Sequence, residues 1–202
     1  MKKAVIFSLR STARVFALCA VVIALSPHFV GLAQAAEGYR AFAERIVAAP
    51  PKGAVIAEDV EQAILIGLNS YRASKGRKPL GRAAPELQLA ARAQAIDLLE
   101  MNSMGHTAST GHGFESRMRA ILGKSMFLPA MAENAARDRR KGKGNLEKAQ
   151  GLMAQWIKSP GHRKNLGNMS YMTVAIGAVR RGDEVYAVQI FVGPETKTNL
   201  FQ

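Results

Sequence analysis

The sequence predicts an α+β domain with helices packed on a sheet. Three observations predict it: amphipathic helical runs fill the first two thirds, two β-rich runs come last, and no segment repeats. A chain of 202 residues is long enough for one domain of ordinary size plus extras.

The helices come first. In "AEDVEQAILIGLNSYRASKG", Val60, Ala63, Ile64, Gly67, Leu68 and Tyr71 recur at helical spacing. Asp59 is the expected cap and Gly76 the expected stop. Pro85 opens a second helix, with Leu87, Ala90, Ala91, Ala95 and Leu98 on one face, fading near Asn102. A short helix over 114–121 turns Phe114, Met118 and Ile121 inward. "FLPAMAENAARD" reads as irregular or weakly extended. A third clear helix starts with Asn145 as cap, buries Ala149, Leu152, Met153 and Trp156, and ends at "SPG". "TVAIGAV" and "VYAVQIFVG", joined by "RRGDE", form an antiparallel hairpin.

The N-terminus has the layout of a secretory signal peptide over 1–35. Lys2, Lys3, Arg10 and Arg14 precede the apolar run 15–25, and Ala33 and Ala35 flank Gln34 at an expected cleavage site. The apolar run is short for a bilayer span, so no transmembrane segment is expected after cleavage. The only cysteine, Cys19, lies in that run behind Leu18, which is too bulky for a lipoprotein site. The processed chain then has no disulfide, thiolate ligand or cysteine nucleophile. Residues 36–57 read as a leader or linker ending in a Pro-Gly break, 58–193 as the domain, and 194–202 as a tail. The chain is expected to be exported, periplasmic or secreted, and monomeric.

The full chain carries a net charge of +13. The signal peptide holds four basic and no acidic residues, which leaves 24 basic against 15 acidic and a net +9. Such a chain is drawn to anionic lipid, lipopolysaccharide or acidic glycan. No nucleic-acid motif or aromatic-rich basic stripe is present, so nucleic acid is not expected. "RDRRKGKG" is the densest basic run, and Arg137, Arg139, Arg140 and Lys141 are its candidate surface contacts.

The chemistry-bearing candidates are few. His106 and His112 lie in the polar stretch "MGHTASTGHGFESRM", and His162 lies in "WIKSPGHRKNL". Glu133 lies in "MAENAA", a carboxylate among small apolar residues that needs donors, a cation or water. His106, Glu133 and His162 are the types that hold zinc or another divalent cation with a position left for water. Alternatively, Glu133 only ties loops together and His162 only caps a helix end. Ser159 stands near His162, but no "GxSxG" elbow or third triad member accompanies it.

Five stretches in order, "LNSYRASKG…PL", "GHTASTG…RM", "AEN", "W…SPGHRKN" and "AIGAV…YAVQIFVG", resemble the CAP superfamily of cysteine-rich secretory, antigen 5 and pathogenesis-related class 1 proteins, or SCP domains. The resemblance covers residues 58–193. It implies a three-layer α-β-α sandwich with a C-terminal antiparallel hairpin. It also implies a cleft of two histidines and two glutamates. The motif positions fall on His106, His162 and Glu133, with Ser159 where the fourth family member is a glutamate, a reduction also met in the family's bacterial branch. The motif does not ask for His112. Two functions stay open: a cleft that binds a divalent metal or small ligand on a protein with a basic surface, or a metal- or histidine-assisted hydrolase acting outside the cytoplasm.

Overall fold

A computed structural model describes residues 38–123 and 128–194. The signal peptide expected over 1–35, and all but the first residue of the tail expected over 194–202, lie outside the described residues. Six helices and five strands follow in chain order: α1 (Tyr39–Ala48), β1 (Val55–Ile56), α2 (Glu58–Ser74), β2 (Gly81–Arg82), α3 (Pro85–Glu100), α4 (Phe114–Leu122), β3 (Met131–Asp138), α5 (Asn145–Lys158), α6 (Pro160–Gly167), β4 (Thr173–Arg181) and β5 (Glu184–Val192).

The sheet runs β1-β4-β5-β3, with β2 added alongside β4. All pairs are antiparallel except β2 with β4. The hairpin expected from "RRGDE" is present, with Arg181 opposite Glu184 and Gly182 supplying the left-handed backbone of the turn (φ 58°).

Successive residues of β5 point to opposite faces, and the two faces build two cores. Tyr186, Val188, Ile190 and Val192 join α1, α3 and α4. Val185, Ala187 and Phe191 join α2, α5 and α6. The result is the three-layer α-β-α sandwich that the resemblance implied. Double-sided burial also explains why β5 reads as one unbroken apolar run. On the α3 side the approach is closest at Gly177. A Cβ there would stand 2.2 Å from the Ala91 and Arg92 backbone, so only glycine lets helix and strand meet.

The structure corrects four local expectations. Residues 39–48 are not a leader: Tyr39, Phe42, Ala43 and Ile46, at helical spacing, are buried in the core. "MAENAARD" is a full eight-residue strand paired along its length with β5. Asp59 lies inside α2 rather than capping it, and accepts from Asn145 Nδ2 at 2.7 Å. Asn145 is the first helical residue of α5, where the Glu147 carboxylate accepts from the preceding Gly144 N–H at 3.1 Å.

Candidate functional site

The site lies over β3, the edge strand at one end of the sheet. The alternation of that strand sends neighbouring residues to opposite faces. Glu133 faces the α1/α3/α4 layer and Asn134 faces the α5/α6 layer, and each pins one histidine-bearing segment.

Glu133 is buried, with a side-chain exposure of 2%. Its Oε1 stands 2.8 Å from His106 Nδ1. A carboxylate accepts and does not donate, so Nδ1 carries the hydrogen and Nε2 is the ring nitrogen that Glu133 leaves free. The charge of Glu133 is met by Arg117, whose Nη2 donates to Oε1 and Oε2 at 2.9 Å each and to the His106 carbonyl at 3.1 Å. Arg117 itself is fully buried, under the rings of Tyr39 (5.8 Å) and Phe114 (5.5 Å). One cation thus neutralises the carboxylate and fixes the backbone that carries His106.

Asn134 works on the other face. Its Nδ2 donates to the His162 carbonyl at 3.3 Å and to Gln189 Oε1 at 3.2 Å, and its Oδ1 accepts from Asn165 Nδ2 at 2.9 Å. These bonds hold α6, and His162 with it, against β3. The two histidines then feel one another. Burial lowers the pKa of His162, and the charge of His106 lowers it further. His106 shifts the opposite way, raised by its hydrogen bond to Glu133 and by that residue's charge against the cost of burial.

The loop that carries His106 has little apolar content, and polar contacts order it. Ser109 donates to Asp97 from its backbone N–H (2.7 Å) and its hydroxyl (2.6 Å). Thr107 and Gly113 pair across it.

Of the sequence candidates, His106 and Glu133 are in contact, and His162 is coupled to His106 through their charges. His112 does not touch Glu133; its Nδ1 lies 3.0 Å from Thr110 Oγ1 and its ring 5.8 Å from that of Tyr39. Ser159 forms the extended break between α5 and α6, and its carbonyl accepts from Arg163 N–H. The residue that sequence reasoning missed is Arg117. The signal was present: positions 114, 117, 118 and 121 form one helical stripe, and a cation on an apolar stripe marks a buried charge.

The four candidate surface cations are less free than their run implies. Arg139 pairs with Glu184 at 2.9 Å and Arg140 with Asp138 at 2.5 Å. Arg137 reaches Asn102 O and Tyr186 Oη, while Lys141 is exposed.

Among described residues no group of three or more His, Asp or Glu is arranged to hold one metal ion. Glu133 is already committed to Arg117 and to His106 Nδ1.

An extracellular protein containing an SCP domain from Bacillus anthracis is similar, with a TM-score of 0.55 and 20% identity over 68% of this chain; the chain spans 41% of that protein. An outer surface protein of Borrelia burgdorferi gives a TM-score of 0.55 at 16% identity, with 70% of this chain and 98% of that one covered. At such identities the likeness shows the fold. No curated protein matches. The model of the cysteine-rich secretory protein family matches residues 65–192, from within α2 to the last residue of β5, and leaves α1 and β1 outside. Though it holds a single cysteine, the chain belongs to this family, CAP.

Proposed function

We propose that this protein is an exported CAP-domain protein whose cleft binds a divalent metal ion, zinc first among them, through His106 and His162. The observation that carries the reading is the contact of Glu133 with His106 Nδ1 at 2.8 Å, which fixes the ring and leaves Nε2 to the cleft. A bound cation would supply Lewis-acid character there, with two protein ligands and the rest of its shell open to water or a small ligand. Export rests on the layout of residues 1–35, and the Bacillus and Borrelia proteins are described as extracellular and outer surface. The net positive charge of the processed chain draws it to anionic partners in the envelope.

Zinc titration by calorimetry at neutral pH tests the cleft. Binding is expected for the wild type and for His112→Ala, and not for His106→Ala or His162→Ala. Glu133→Gln is expected to weaken binding by about 10- to 100-fold, the usual cost of losing an outer-shell partner. No heat and no change in melting temperature for the wild type would end the metal reading.

A second reading rests on the opposite shifts of the two histidines. Groups whose environments push their pKa values apart can serve as acid and base. Hydrolysis of an extracytoplasmic ester or peptide would then need His106 as acid and His162 as base. Turnover that survives a chelator and is lost in both alanine variants would support it.

A further inference from the structure

Among the described residues, a second cluster of cations is less opposed by acidic side chains than the basic run that the sequence displays. That run, between β3 and α5, is partly neutralised by ion pairs. Besides the pairs of Arg139 and Arg140, Lys143 meets Glu147 at 2.8 Å, and the buried Lys148 meets Asp138 at 3.2 Å.

The opposite situation holds where α2 and α6 end. Residues 71–82 and 157–172 contain no aspartate or glutamate. The two segments are stapled together by Arg72, which is buried and donates to the carbonyls of Lys78, Leu166 and Asn168 at 2.8–3.0 Å. Two open cavities flank this staple. One, about 680 Å³, is lined by Lys75, Arg163 and Lys164 beside Tyr71. The other, about 550 Å³, is lined by Arg77 and Lys78 beside Met169 and Met172. No acidic side chain lines either one. Among the described residues, none of these five cations forms an ion pair. Lys75 lies over the Tyr71 ring at 5.9 Å, Arg77 donates to Met169 Sδ at 2.9 Å, and Arg163 donates to a carbonyl.

The apolar content of this surface narrows the partner. Met169 is 71% exposed and Met172 61%, and Met169 is the most exposed large apolar side chain among the described residues. A soluble polyanion would use the cations and leave the methionines in water. A lipid surface would use both, since flexible thioether side chains can enter between headgroups.

We infer that this end of the molecule docks on an anionic phospholipid surface: Lys75, Arg77, Lys78, Arg163 and Lys164 engage headgroup phosphates, and Met169 and Met172 enter the interface. The inference rests on the reading that the basic chain meets an anionic envelope surface, and it is independent of metal in the cleft. Because α6 also carries His162, docking surface and cleft share one element.

The test is co-sedimentation of the full chain, with chelator present, with vesicles of phosphatidylcholine alone and vesicles that also hold phosphatidylglycerol. Binding is expected only to the second. The variants Lys75→Gln/Arg77→Gln/Lys78→Gln and Arg163→Gln/Lys164→Gln are expected to lose about fivefold in partition per charge removed. Met169→Ser/Met172→Ser is expected to bind more weakly at unchanged charge. The loop control Arg139→Gln/Lys141→Gln is expected to stay near wild type. All are exposed side chains except the half-buried Arg77, and thermal melts check that each variant is folded. If the wild type binds but only the loop control loses partition, the surface is wrong and the envelope reading survives. If the methionine variant binds as well as wild type and a soluble sulfated polysaccharide competes fully, the partner is a polyanion and the lipid inference is overturned. If the wild type ignores anionic vesicles, the lipid inference is overturned, whatever other anionic envelope component the chain meets.

Discussion

Arg117 and Glu133 form an ion pair whose side chains are 0% and 2% exposed, with one guanidinium nitrogen 2.9 Å from each carboxylate oxygen. The pair crosses from α4 to β3 and sits beneath His106. Two charges taken out of water are costly unless they meet each other with good geometry and further hydrogen bonds. Here the third bond goes to the His106 carbonyl, so the pair and the loop are one unit.

Removing one partner leaves the other charge buried and uncompensated. Arg117→Met is therefore expected to lower the unfolding free energy by about 3–5 kcal/mol. Arg117→Met/Glu133→Gln should recover part of that loss, because no buried charge remains. Urea denaturation of both variants checks it. A loss below about 1 kcal/mol in the single variant would mean that the pair is not buried as described.

The histidines give the stability of the site a pH dependence of opposite sign. The folded pKa of His106 lies above the unfolded value of about 6.5, so its contribution is complete below that pH and is lost as pH rises through the folded value. The folded pKa of His162 is depressed, so its contribution is present above about 6.5 and is lost as pH falls through the folded value. The His106 side chain is 53% exposed, and solvent keeps its share small. Proton NMR titration should place His106 above His162. Glu133→Gln should bring the His106 value down, and equal values in the wild type would contradict the coupling. The stability gap between wild type and His106→Gln should be widest below about pH 6.5.

The parts of the fold that depend on apolar spacing were legible in the sequence. The periodic faces of α2, α3 and α5 and the two β-rich runs are each present as read. β3 was not legible, because "MAENAARD" has no β-branched residue and carries four polar side chains. Three of those side chains find partners outside the strand: Glu133 in Arg117, Asn134 in the α6 segment, and Asp138 in Lys148 and Arg140. The same blindness affected charge. A run such as "RDRRKGKG" shows its cations but not Glu184, which lies 45 residues beyond Arg139 and pairs with it. The cationic end is assembled from segments some 80 residues apart, so no local window displays it. His106 and Glu133, both singled out in the sequence, are in contact, while Arg117, a cation on the apolar stripe of its helix, was passed over.

The segment before the family match offers the last test. A leader would leave the core unchanged on substitution. α1 instead places Phe42, 1% exposed, against α3 and α4, and sets Tyr39 over Arg117. Truncating a buried phenylalanine removes its transfer free energy and leaves a cavity that the surroundings fill only in part. Phe42→Ala is therefore expected to cost about 3–5 kcal/mol, while Ala41→Ser on the exposed side of the same helix should change stability by under about 0.5 kcal/mol. Tyr39→Ala should act twice, destabilising the fold and loosening the packing above Arg117. Its His106 pKa should then move towards the unfolded value as the Arg117–Glu133–His106 unit loses its cover. Denaturation of Phe42→Ala together with NMR titration of Tyr39→Ala separates the two effects. If Phe42→Ala melts like the wild type, α1 is not part of the core.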